Sequence, residues 1–473
     1  MSALLTLMVL LVFVFCENEC KGLNEEYTWT RIDYQWPDDP EPSNVLQGRE
    51  AMDTRKFFRG SSASPSGNTQ IDDNNRNERD LEYIFENNIP MGANKWKDKL
   101  FVTVPRRRFG VPSTLNYVWT NTTSKHNVPL IPYPSWDYNR LNSTNRDRIV
   151  SVYRTAVDTC DRLWFVDAGV VNSLGSRAPI RPPTVFAIDL NTDTVIRRYE
   201  LKSSDLAPGS IGLSSLTIDV DPENCNDTFA YIVDLGGYGL IVYDFANDSS
   251  WRVTHNYFAM EPSAGDIEVA GIKFQWTDGI FSTALGKRDK DGFRTVFFHS
   301  MVGRHMYAVS SRILRNRELA TRTYHGDDFK VLGDRGPGAH TTMTAMHEPT
   351  GVLFMGLINQ NGLGCWNTNK EFLSKNFDIV DRDEVKMIYP SDVKVSGDDV
   401  IVLTNNMPLF IYSSLDYNNT NFRVWTGSVQ KAIEGTTCSL SRLPTTLACN
   451  KKGGCSSPHV THALENIMKL FRL

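Results

Sequence analysis

The stretch Ile232–Asp244, IVDLGGYGLIVYD, decides the fold. Two runs rich in β-branched and aromatic residues flank a glycine-rich turn, a pattern that predicts two paired β-strands. Looser versions of the same pattern, a strand that ends in an acidic or polar turn before the next strand begins, occur at Phe165–Gly169 (FVDAG), Trp276–Leu285 (WTDGIFSTAL) and Val402–Tyr412 (VLTNNMPLFIY). This recurrence indicates an architecture assembled from similar units.

Strand-like runs fill the chain from about residue 81 to residue 440, and helical periodicity is scarce there. Most are rich in Val, Ile, Phe, Tyr and Thr and are bounded by Gly, Asp, Asn or Pro, as strands are. Besides the hairpin above, the predicted strands lie in KLFVTVP (Lys99–Pro105), RLWFVDAG (Arg162–Gly169), TVFAIDL (Thr184–Leu190), GIKFQWTDGIFSTALG (Gly271–Gly286), TVFFHSM (Thr295–Met301), HMYAVSS (His305–Ser311), GVLFMGLI (Gly351–Ile358), VIVLTN (Val400–Asn405) and PLFIYS (Pro408–Ser413). The body of the protein is therefore predicted to be all-β.

So many strands are compatible with a sandwich, a jelly roll or a propeller. The loose repeat favours a propeller, in which roughly 360 residues divided among six blades would leave about 60 residues for each blade. Blades bury their faces against their neighbours, and their inner strands surround a central channel.

The chain begins with a segment that resembles an export signal. Residues 1–16 contain the apolar run Ala3–Phe15, which is too short to span a bilayer, for which about 20 residues are needed, and has the length of a signal-peptide core. We expect cleavage after Cys16, or as late as residue 22, and a secreted, extracellular protein. No other segment is long and apolar enough to cross a membrane.

Three further regions flank or interrupt the strands. Residues 23–44 contain YTWTRIDYQW (Tyr27–Trp36), which predicts an edge strand. Residues 45–80 are dominated by polar and charged side chains and are predicted to form a disordered insertion, because they bury too little apolar surface to offset their ordering entropy. Residues 441–473 form a C-terminal tail, and the propeller is assigned to residues 81–440.

Composition and sequons add to this classification. The net charge of -5 argues against a nucleic-acid binder and against attraction to anionic membranes. Hydrophobic residues make up 41% of the chain, enough to form a core. Export agrees with five Asn-x-Ser/Thr sequons, which are predicted to be glycosylated in surface loops: Asn121, Asn142, Asn226, Asn247 and Asn418.

The cysteines are expected to form disulfides rather than metal sites. No CxxC motif is present, so a zinc ribbon or a thioredoxin-like site is disfavoured, and an oxidising compartment favours disulfides. Cys16 would leave with the signal, and Cys20 would be lost in later cleavage or stay unpaired. The favoured pairs are Cys160–Cys225 and Cys365–Cys438 in the body and Cys449–Cys455 in the tail, although spacing alone leaves the pairing open.

Four longer segments resemble the insect Yellow and major royal jelly protein family. They are Tyr83–Val118 (YIFENNIPMGANKWKDKLFVTVPRRRFGVPSTLNYV), Gly271–Lys287 (GIKFQWTDGIFSTALGK), Leu357–Thr368 (LINQNGLGCWNT) and Tyr389–Asn418, which holds YPSDVKV and LTNNMPLFIYSSLDYN. The resemblance implies a secreted six-bladed β-propeller with a ligand-accepting central channel, stabilised by disulfides consistent with the favoured pairs. GDRGP (Gly333–Pro337) is most similar to Yellow-f-like and Yellow-h-like members, whereas the 45–80 insertion and the tail depart from the family pattern.

The resemblance also implies a function. Yellow-f-like members are similar to enzymes that tautomerise dopachrome to a dihydroxyindole in melanin formation, so a role in melanin and cuticle pigmentation, with dopachrome isomerase activity, is the leading hypothesis. One alternative is a non-catalytic binder of the biogenic amines dopamine and serotonin, as in salivary relatives of blood-feeding insects. Another is a structural cuticle or eggshell protein. Each ligand would be a small catechol or indole, and the sequence carries no signal for an oligomeric state.

Tautomerisation moves protons, so it needs a base and an oxyanion donor but no redox cofactor. HExxH, His-x-His, G-x-S-x-G and GxxxxGK[ST] motifs are absent from the sequence, so neither a metal nor a cofactor is predicted. The candidate catalytic residues are Asp278, in the WTDG motif, and His340, whose unperturbed pKa near 6.5 would suit a base. His347 is a further candidate beside His340, and a structural role is the alternative for each.

The candidate ligand contacts lie at strand ends within the family motifs, where a turn cap is the alternative role for an acidic residue. They are Glu86, Asp167, Asn359, Asn361, Asn405, Asn406 and Met407, with Asn87 and Asp234 as further polar residues of the same kind. The resemblance places Asn405 at a polar ligand-contacting position of the amine binders, but Met407 replaces an expected aromatic residue.

An arginine run and three tryptophans form two further groups with alternative roles. The run Arg106–Arg108 would attract a carboxylate such as that of dopachrome, or would form a solvated face. The tryptophans Trp96, Trp276 and Trp366 are expected to pack between blades rather than to form a ligand cage.

Overall fold

The computed structural model describes residues 22–37, 83–208 and 212–439, and the backbone of 448–450 and 454–456. The predicted signal peptide at residues 1–16 and the predicted polar insertion at 45–80 lie outside the described residues, as does most of the 441–473 tail. Export and disorder of these segments stay predictions.

Six four-stranded antiparallel sheets form the body of the protein, which confirms the predicted all-β six-bladed propeller. The blade strands are β1 (Asn24–Trp29); β2 (Gly92–Trp96), β3 (Lys99–Thr103), β4 (Leu115–Trp119) and β5 (Ile131–Pro132); β6 (Val152–Val157), β7 (Arg162–Asp167), β10 (Thr184–Asp189) and β11 (Thr194–Glu200); β12 (Leu213–Asp221), β13 (Asn224–Asp234), β14 (Gly239–Asp244) and β15 (Ser249–Thr254); β18 (Ile280–Arg288), β19 (Arg294–Ser300), β20 (His305–Ser310) and β21 (Phe329–Asp334); β22 (Thr341–His347), β23 (Val352–Leu357), β24 (Gly362–Asn367) and β25 (Phe377–Arg382); and β26 (Pro390–Ser396), β27 (Asp399–Thr404) and β28 (Phe422–Ser428). Short hairpins add β8 (Val170–Val171) with β9 (Ala178–Pro179), β16 (Asp266–Val269) with β17 (Ile272–Gln275), and β29 (Ala448–Asn450) with β30 (Gly454–Ser456).

The innermost strands form a closed ring around the channel. Each of β2, β6, β12, β18, β22 and β26 contacts the next, and β26 contacts β2. These strands begin about 60 residues apart along most of the chain, as the predicted repeat requires: at Gly92, Val152, Leu213, Ile280, Thr341 and Pro390.

The position of a strand in its blade explains its sequence. All six residues of β14 are buried, because a middle strand is covered by a neighbouring blade on both faces and therefore reads as a continuous apolar run. In β11, the outermost strand of its blade, all seven residues are exposed or partly exposed. Middle strands are therefore the easiest to recognise from the sequence.

The ring closes because β1, from the start of the propeller, joins the last blade. Strand β1 pairs antiparallel with β28 and completes the sheet formed by β26, β27 and β28. Trp29 is fully buried there, and its indole N–H donates to the Val128 carbonyl at 2.8 Å. The strand covers Asn24–Trp29, slightly earlier than the predicted Tyr27–Trp36, and it extends the propeller upstream of residue 81.

Two disulfides link separate segments of the ring, and the two pairs predicted for the body of the protein are confirmed. Cys160–Cys225 connects the β6–β7 turn to the start of β13. Cys365–Cys438 ties β24 to the segment that follows the last blade. Backbone positions Cys449 and Cys455 face each other in the β29–β30 hairpin, so a third disulfide there stays a prediction.

One predicted strand is wrong, and a second predicted run has the strand–turn–strand form that its acidic turn indicates. The run Pro408–Ser413 is not a strand but most of a helix, because Pro408 suits a first helical turn and a short apolar run has no distinguishing period. The run Gly271–Gly286 contains β17 and β18, separated by a loop that holds Asp278. The short α-helices of the described chain are α1 (Trp136–Asn139), α2 (Ser311–Arg315), α3 (Arg317–Thr321), α4 (Met407–Tyr412) and α5 (Val429–Ile433).

Replacement of Trp29 by Ala should lower the free energy of unfolding by about 3 to 5 kcal/mol, because it leaves a cavity where the ring closes. Guanidinium denaturation measures this loss. Trp119→Ala is the matched control, since Trp119 is 38% exposed and its loss should cost far less. Equal losses in the two variants would contradict the closing role of β1.

Candidate functional site

The predicted motif residues converge on one end of the channel. In each antiparallel blade the start of the inner strand pairs with the end of the second strand, as Ile280 does with Ser300 and Pro390 with Thr404. The loops before the inner strands and after the second strands therefore share one face, which we call the upper face. It carries Glu86, Asp167, Asp234, Asp278, His340, Asn359, Asn361, Asn405, Asn406 and Met407.

Asp278 lies on this face, in the loop just before inner strand β18. Its side chain is only partly exposed, and the Trp276 indole N–H acts on it as a donor, although without full hydrogen-bond geometry. Burial raises the pKa of the Asp278 carboxyl to about 6, against the opposing effects of the Trp276 indole N–H, Arg107 and Arg154. A carboxyl with this pKa can take up or release a proton near neutral pH.

Two arginines lie near this carboxylate without pairing with it. Arg154 spans the channel: it donates to the carbonyls of Ser391 and Ser214, and its Nε lies 3.8 Å from Asp392 Oδ1. Arg107 has no carboxylate partner among the described residues. The site therefore holds two carboxylates and two guanidinium groups, of which Asp278 and Arg107 have no ion-pair partner among the described residues.

Aromatic side chains form one wall of the site. Tyr389, Tyr412, Trp276 and Phe274 line a pocket closed by helix α4, and Asp278 raises the pKa of both tyrosines further than burial alone. Their phenols thus stay protonated and can donate a hydrogen bond. Tyr389 also has a backbone φ of 52°, a conformation that is costly for a bulky residue and is found preferentially at functional sites.

The pocket is nearly closed. Its free volume is about 10 Å³, room for one water molecule, whereas sites for small ligands usually offer about 300 Å³ or more. A two-ring ligand therefore requires movement of α4, whose Met407, Ile411 and Tyr412 side chains fill the pocket.

Three predicted ligand contacts position α4 or belong to it. Asn405 is fully buried, donates to the Pro90 carbonyl at 2.8 Å, and accepts from the Met407 N–H at 3.2 Å. Asn406 precedes the helix with a left-handed φ of 53°. Met407 lines the pocket directly. Asn405 and Asn406 therefore orient the helix, and only Met407 faces the pocket.

His340 lies on the upper face but does not meet Asp278. Its Nε2 donates to the Ala264 carbonyl at 2.7 Å, its Nδ1 has no partner among the described residues, and burial lowers its pKa. The charges that act on it are Arg335 and Glu261, whereas those that act on Asp278 are Arg107 and Arg154. The two predicted catalytic residues therefore do not form a pair, although Asn359 lies beside His340.

The remaining predicted contacts lie away from the pocket. Asp167 is fully buried and accepts from the N–H groups of Val150 and Ser151 and from Arg181, so it organises a loop. Asn361 donates to Glu384 at 2.8 Å in a turn between β23 and β24. Other candidates have comparable local roles: Asp234 pairs with Arg252, His347 contacts Asp398, Glu86 is exposed, and Asn87 donates to the Phe109 carbonyl.

The arginine run separates into three roles. Arg106 donates to several backbone carbonyls, including those of Val111 and Asn139. Arg108 donates to the Phe410 carbonyl and lies over its ring at 4.2 Å. Arg107 alone of the three reaches the pocket residue Met407.

The tryptophans also separate. Trp366 packs edge-on against the rings of Phe297 and Phe372, as expected for blade packing. Trp96 donates to Asp161 at 2.7 Å. Trp276 instead lines the pocket, and its indole N–H has no hydrogen-bond partner among the described residues.

Sequence reasoning missed three residues of the site: Tyr389, Tyr412 and Arg154. Tyr389 lies in the YPSDVKV motif but reads as the start of a strand. Tyr412 was assigned to a strand, and Arg154 is an isolated arginine with no motif around it. No pattern in the sequence brings these three to Asp278, because they come from three separate segments.

Other features of the described residues bear on earlier predictions. All five sequon asparagines are exposed, so glycosylation is sterically open but stays a prediction. Among the described helices none has the length and apolar content to cross a bilayer. Within the described chain, no three acidic, histidine or cysteine side chains are grouped as metal ligands would be.

The fold and the site define a six-bladed β-propeller with an aromatic-lined pocket at the upper face of its channel, and the charged side chains of Asp278 and Arg107 lie near that pocket. Residues 150–438 match the family model described as "Major royal jelly protein". The chain belongs to this family, which confirms the resemblance found in the motifs.

Curated relatives cover most of the chain. L-dopachrome tautomerase yellow-f of Drosophila melanogaster is 42% identical over 358 residues, which are 75% of this chain and 83% of that protein. Protein yellow of Drosophila yakuba is 37% identical over 92% of this chain and 74% of that protein, and Protein yellow of Drosophila melanogaster is 37% identical over 88% and 71%.

Asp278→Asn should raise the free energy of unfolding at pH 7 by about 1 to 3 kcal/mol, allowing for partial exposure of the carboxyl. The fold raises the pKa of this carboxyl from 3.8 to about 6, so ionisation costs the folded state more than the unfolded chain. The wild-type protein should therefore lose stability relative to the variant as the pH rises from about 4 to 6. Urea denaturation at pH 4 and pH 7 measures this difference.

The gain of the variant should be largely lost at pH 4, where the folded wild-type carboxyl is neutral and the unfolded one is only about half ionised. Asp327→Asn, at an exposed position, removes the same charge and is the control. A gain of equal size at both pH values would show that Asp278 is not strained by burial.

Proposed function

We propose that this protein is a secreted dopachrome isomerase that converts dopachrome to a dihydroxyindole during melanin formation and cuticle pigmentation. Its similarity to a protein named L-dopachrome tautomerase, over 83% of that protein, supports this activity. The observation that carries the proposal is the unpaired Asp278 carboxyl with a pKa of about 6, placed beside cations and aromatic rings.

The reaction needs few groups. One proton leaves each of two neighbouring carbons of the nitrogen-containing ring, the first of them to a base; the electron pairs move into the quinone, and each of the two quinone oxygens gains a proton. The product is an isomer, so no electrons leave the molecule and no oxidant is consumed. Asp278 is the first base in this scheme, since its carboxylate is half-formed near pH 6 and, among the described residues, only the Trp276 indole N–H acts on it as a donor.

A donor must stabilise the negative charge that develops on the quinone oxygen. Tyr389 fits this role because its phenol stays protonated and its hydroxyl contacts only the Met301 sulfur, at 3.8 Å, among the described residues. Arg154 adds positive charge at the same end of the channel. The substrate ring would lie against Trp276 and Tyr412 after α4 has moved.

An extracellular location agrees with this proposal. Cys160–Cys225 and Cys365–Cys438 are disulfides of the kind that persist in oxidising compartments. The five exposed sequons would be available to glycosylation in the secretory pathway. Mass spectrometry of protein recovered from insect-cell medium would test cleavage after Cys16 and glycan attachment together.

Asp278→Asn should lower kcat/KM for dopachrome by at least about 100-fold, the usual contribution of a general base. For the wild-type protein kcat/KM should rise with pH through about 6 and then level off, because only the ionised carboxyl accepts a proton. Loss of dopachrome absorbance measures both effects, and boiled protein corrects for spontaneous conversion.

Asp327→Asn should keep the wild-type rate. Wild-type activity in Asp278→Asn would exclude Asp278 as the base. Conversion by the wild-type protein no faster than by boiled protein would exclude the isomerase itself.

Amine binding is the second candidate function. One carboxylate beside four aromatic rings also suits a protonated amine attached to a catechol or indole. Arg107 and Arg154 oppose it, because they place positive charge beside the same carboxylate. Calorimetric titration with dopamine and serotonin tests this candidate: binding that Asp278→Asn abolishes, without dopachrome conversion, would favour a carrier. Neither conversion nor binding would favour a structural cuticle or eggshell protein.

A further inference from the structure

Arg107 is a buried cation without an anion. Its side chain is 8% exposed, its Nε has no hydrogen-bond partner among the described residues, and no described carboxylate lies within ion-pair distance of it. Its Nη1 instead contacts two thioether sulfurs, that of Met407 at 3.1 Å and that of Met91 at 3.9 Å. Thioethers are weak acceptors, so these contacts replace little of the hydration that the guanidinium has lost.

The other buried arginines of the propeller are treated differently. Arg162 pairs with Asp158 at 2.7 Å, and Arg181 pairs with Asp167 at 2.5 Å. Arg335 has no pairing carboxylate but donates to the carbonyls of Gly303 and His305, both at 2.7 Å. Arg107 alone of these has neither a carboxylate nor a carbonyl as acceptor, as expected of a group kept for an incoming anion.

We propose that Arg107 is the anion subsite of the channel: it receives the carboxylate of the ligand and makes the pocket selective for ring compounds that carry an acid over those that carry only an amine. The inference rests on the proposed function in taking the same pocket as the substrate site. It assigns the carboxylate of the substrate to Arg107 and leaves the reacting carbon to Asp278.

Met407 couples the opening of the pocket to the binding of a carboxylate at Arg107. A two-ring ligand requires α4 to move, and that movement withdraws the Met407 sulfur from Arg107. The carboxylate then takes the place of the sulfur and supplies the charged partner that the guanidinium lacks. Asp278 raises and Arg107 lowers the pKa of both Tyr389 and Tyr412, so these tyrosines lie near both charges. A ligand ring beside the tyrosines would therefore lie between the two charges.

Calorimetric titration with indoline-2-carboxylate and with indoline tests the subsite, because neither compound is a quinone and neither reacts. The wild-type protein should bind the carboxylate roughly 10- to 100-fold more tightly, the range of a hydrogen bond to a charged group. Arg107→Gln should abolish this preference and leave the affinity for indoline unchanged. Arg146→Gln removes the same charge from a side chain that is 83% exposed and should preserve the preference.

Equal affinities of the wild-type protein for the two compounds would overturn the proposal, as would a preference that survives in Arg107→Gln. If that variant does not fold, Arg107→Lys replaces it and should keep a reduced preference. Because the probes do not react, loss of the preference in Arg107→Gln would support the subsite even if the protein failed to convert dopachrome. Conversion that depends on Asp278 but not on Arg107 would support the isomerase and reject the subsite.

Discussion

The closed ring of blades is the constraint on which the rest of the structure depends. Each blade buries its faces against two neighbours, so the ring has no stable end until β1 pairs with β28 and completes the last blade. Closure places the starts of all six inner strands around one axis. The side chains that precede those strands, Asp278 and Tyr389 among them, meet only for this reason.

Within the ring, the donors around each carboxyl decide the chemistry of two similar side chains. Asp392 accepts hydrogen bonds from the Ala93 N–H and from Lys394, and it lies beside Arg154, so its oxygens are engaged. Asp278 lies near the same arginine but has no such donors. The same kind of carboxyl is therefore structural at one position and available for proton transfer at the other, as environment dictates.

The strand pattern was predictable wherever strands are covered on both faces. The run Gly239–Phe245 was recognised as a strand because a neighbouring blade on each side demands an uninterrupted apolar run. Pro408–Ser413 is also largely apolar, but it forms most of α4. A run of six residues is too short for its periodicity to distinguish a helix from a strand. The error matters because this helix closes the pocket.

The sequence by itself determined the propeller, the family, the two core disulfides as favoured pairs and the position of the motifs at strand ends, because these follow from local patterns and from family motifs. Only the tertiary structure decided which motif residues reach the axis. Asp278 and Met407 reach the site, whereas the polar atoms of Asp167 and Asn405 form hydrogen bonds with backbone groups. It also brought Arg107, Arg154, Tyr389 and Tyr412 together from distant segments, since proximity across a closed ring depends on how six blades pack and leaves no trace in residue spacing.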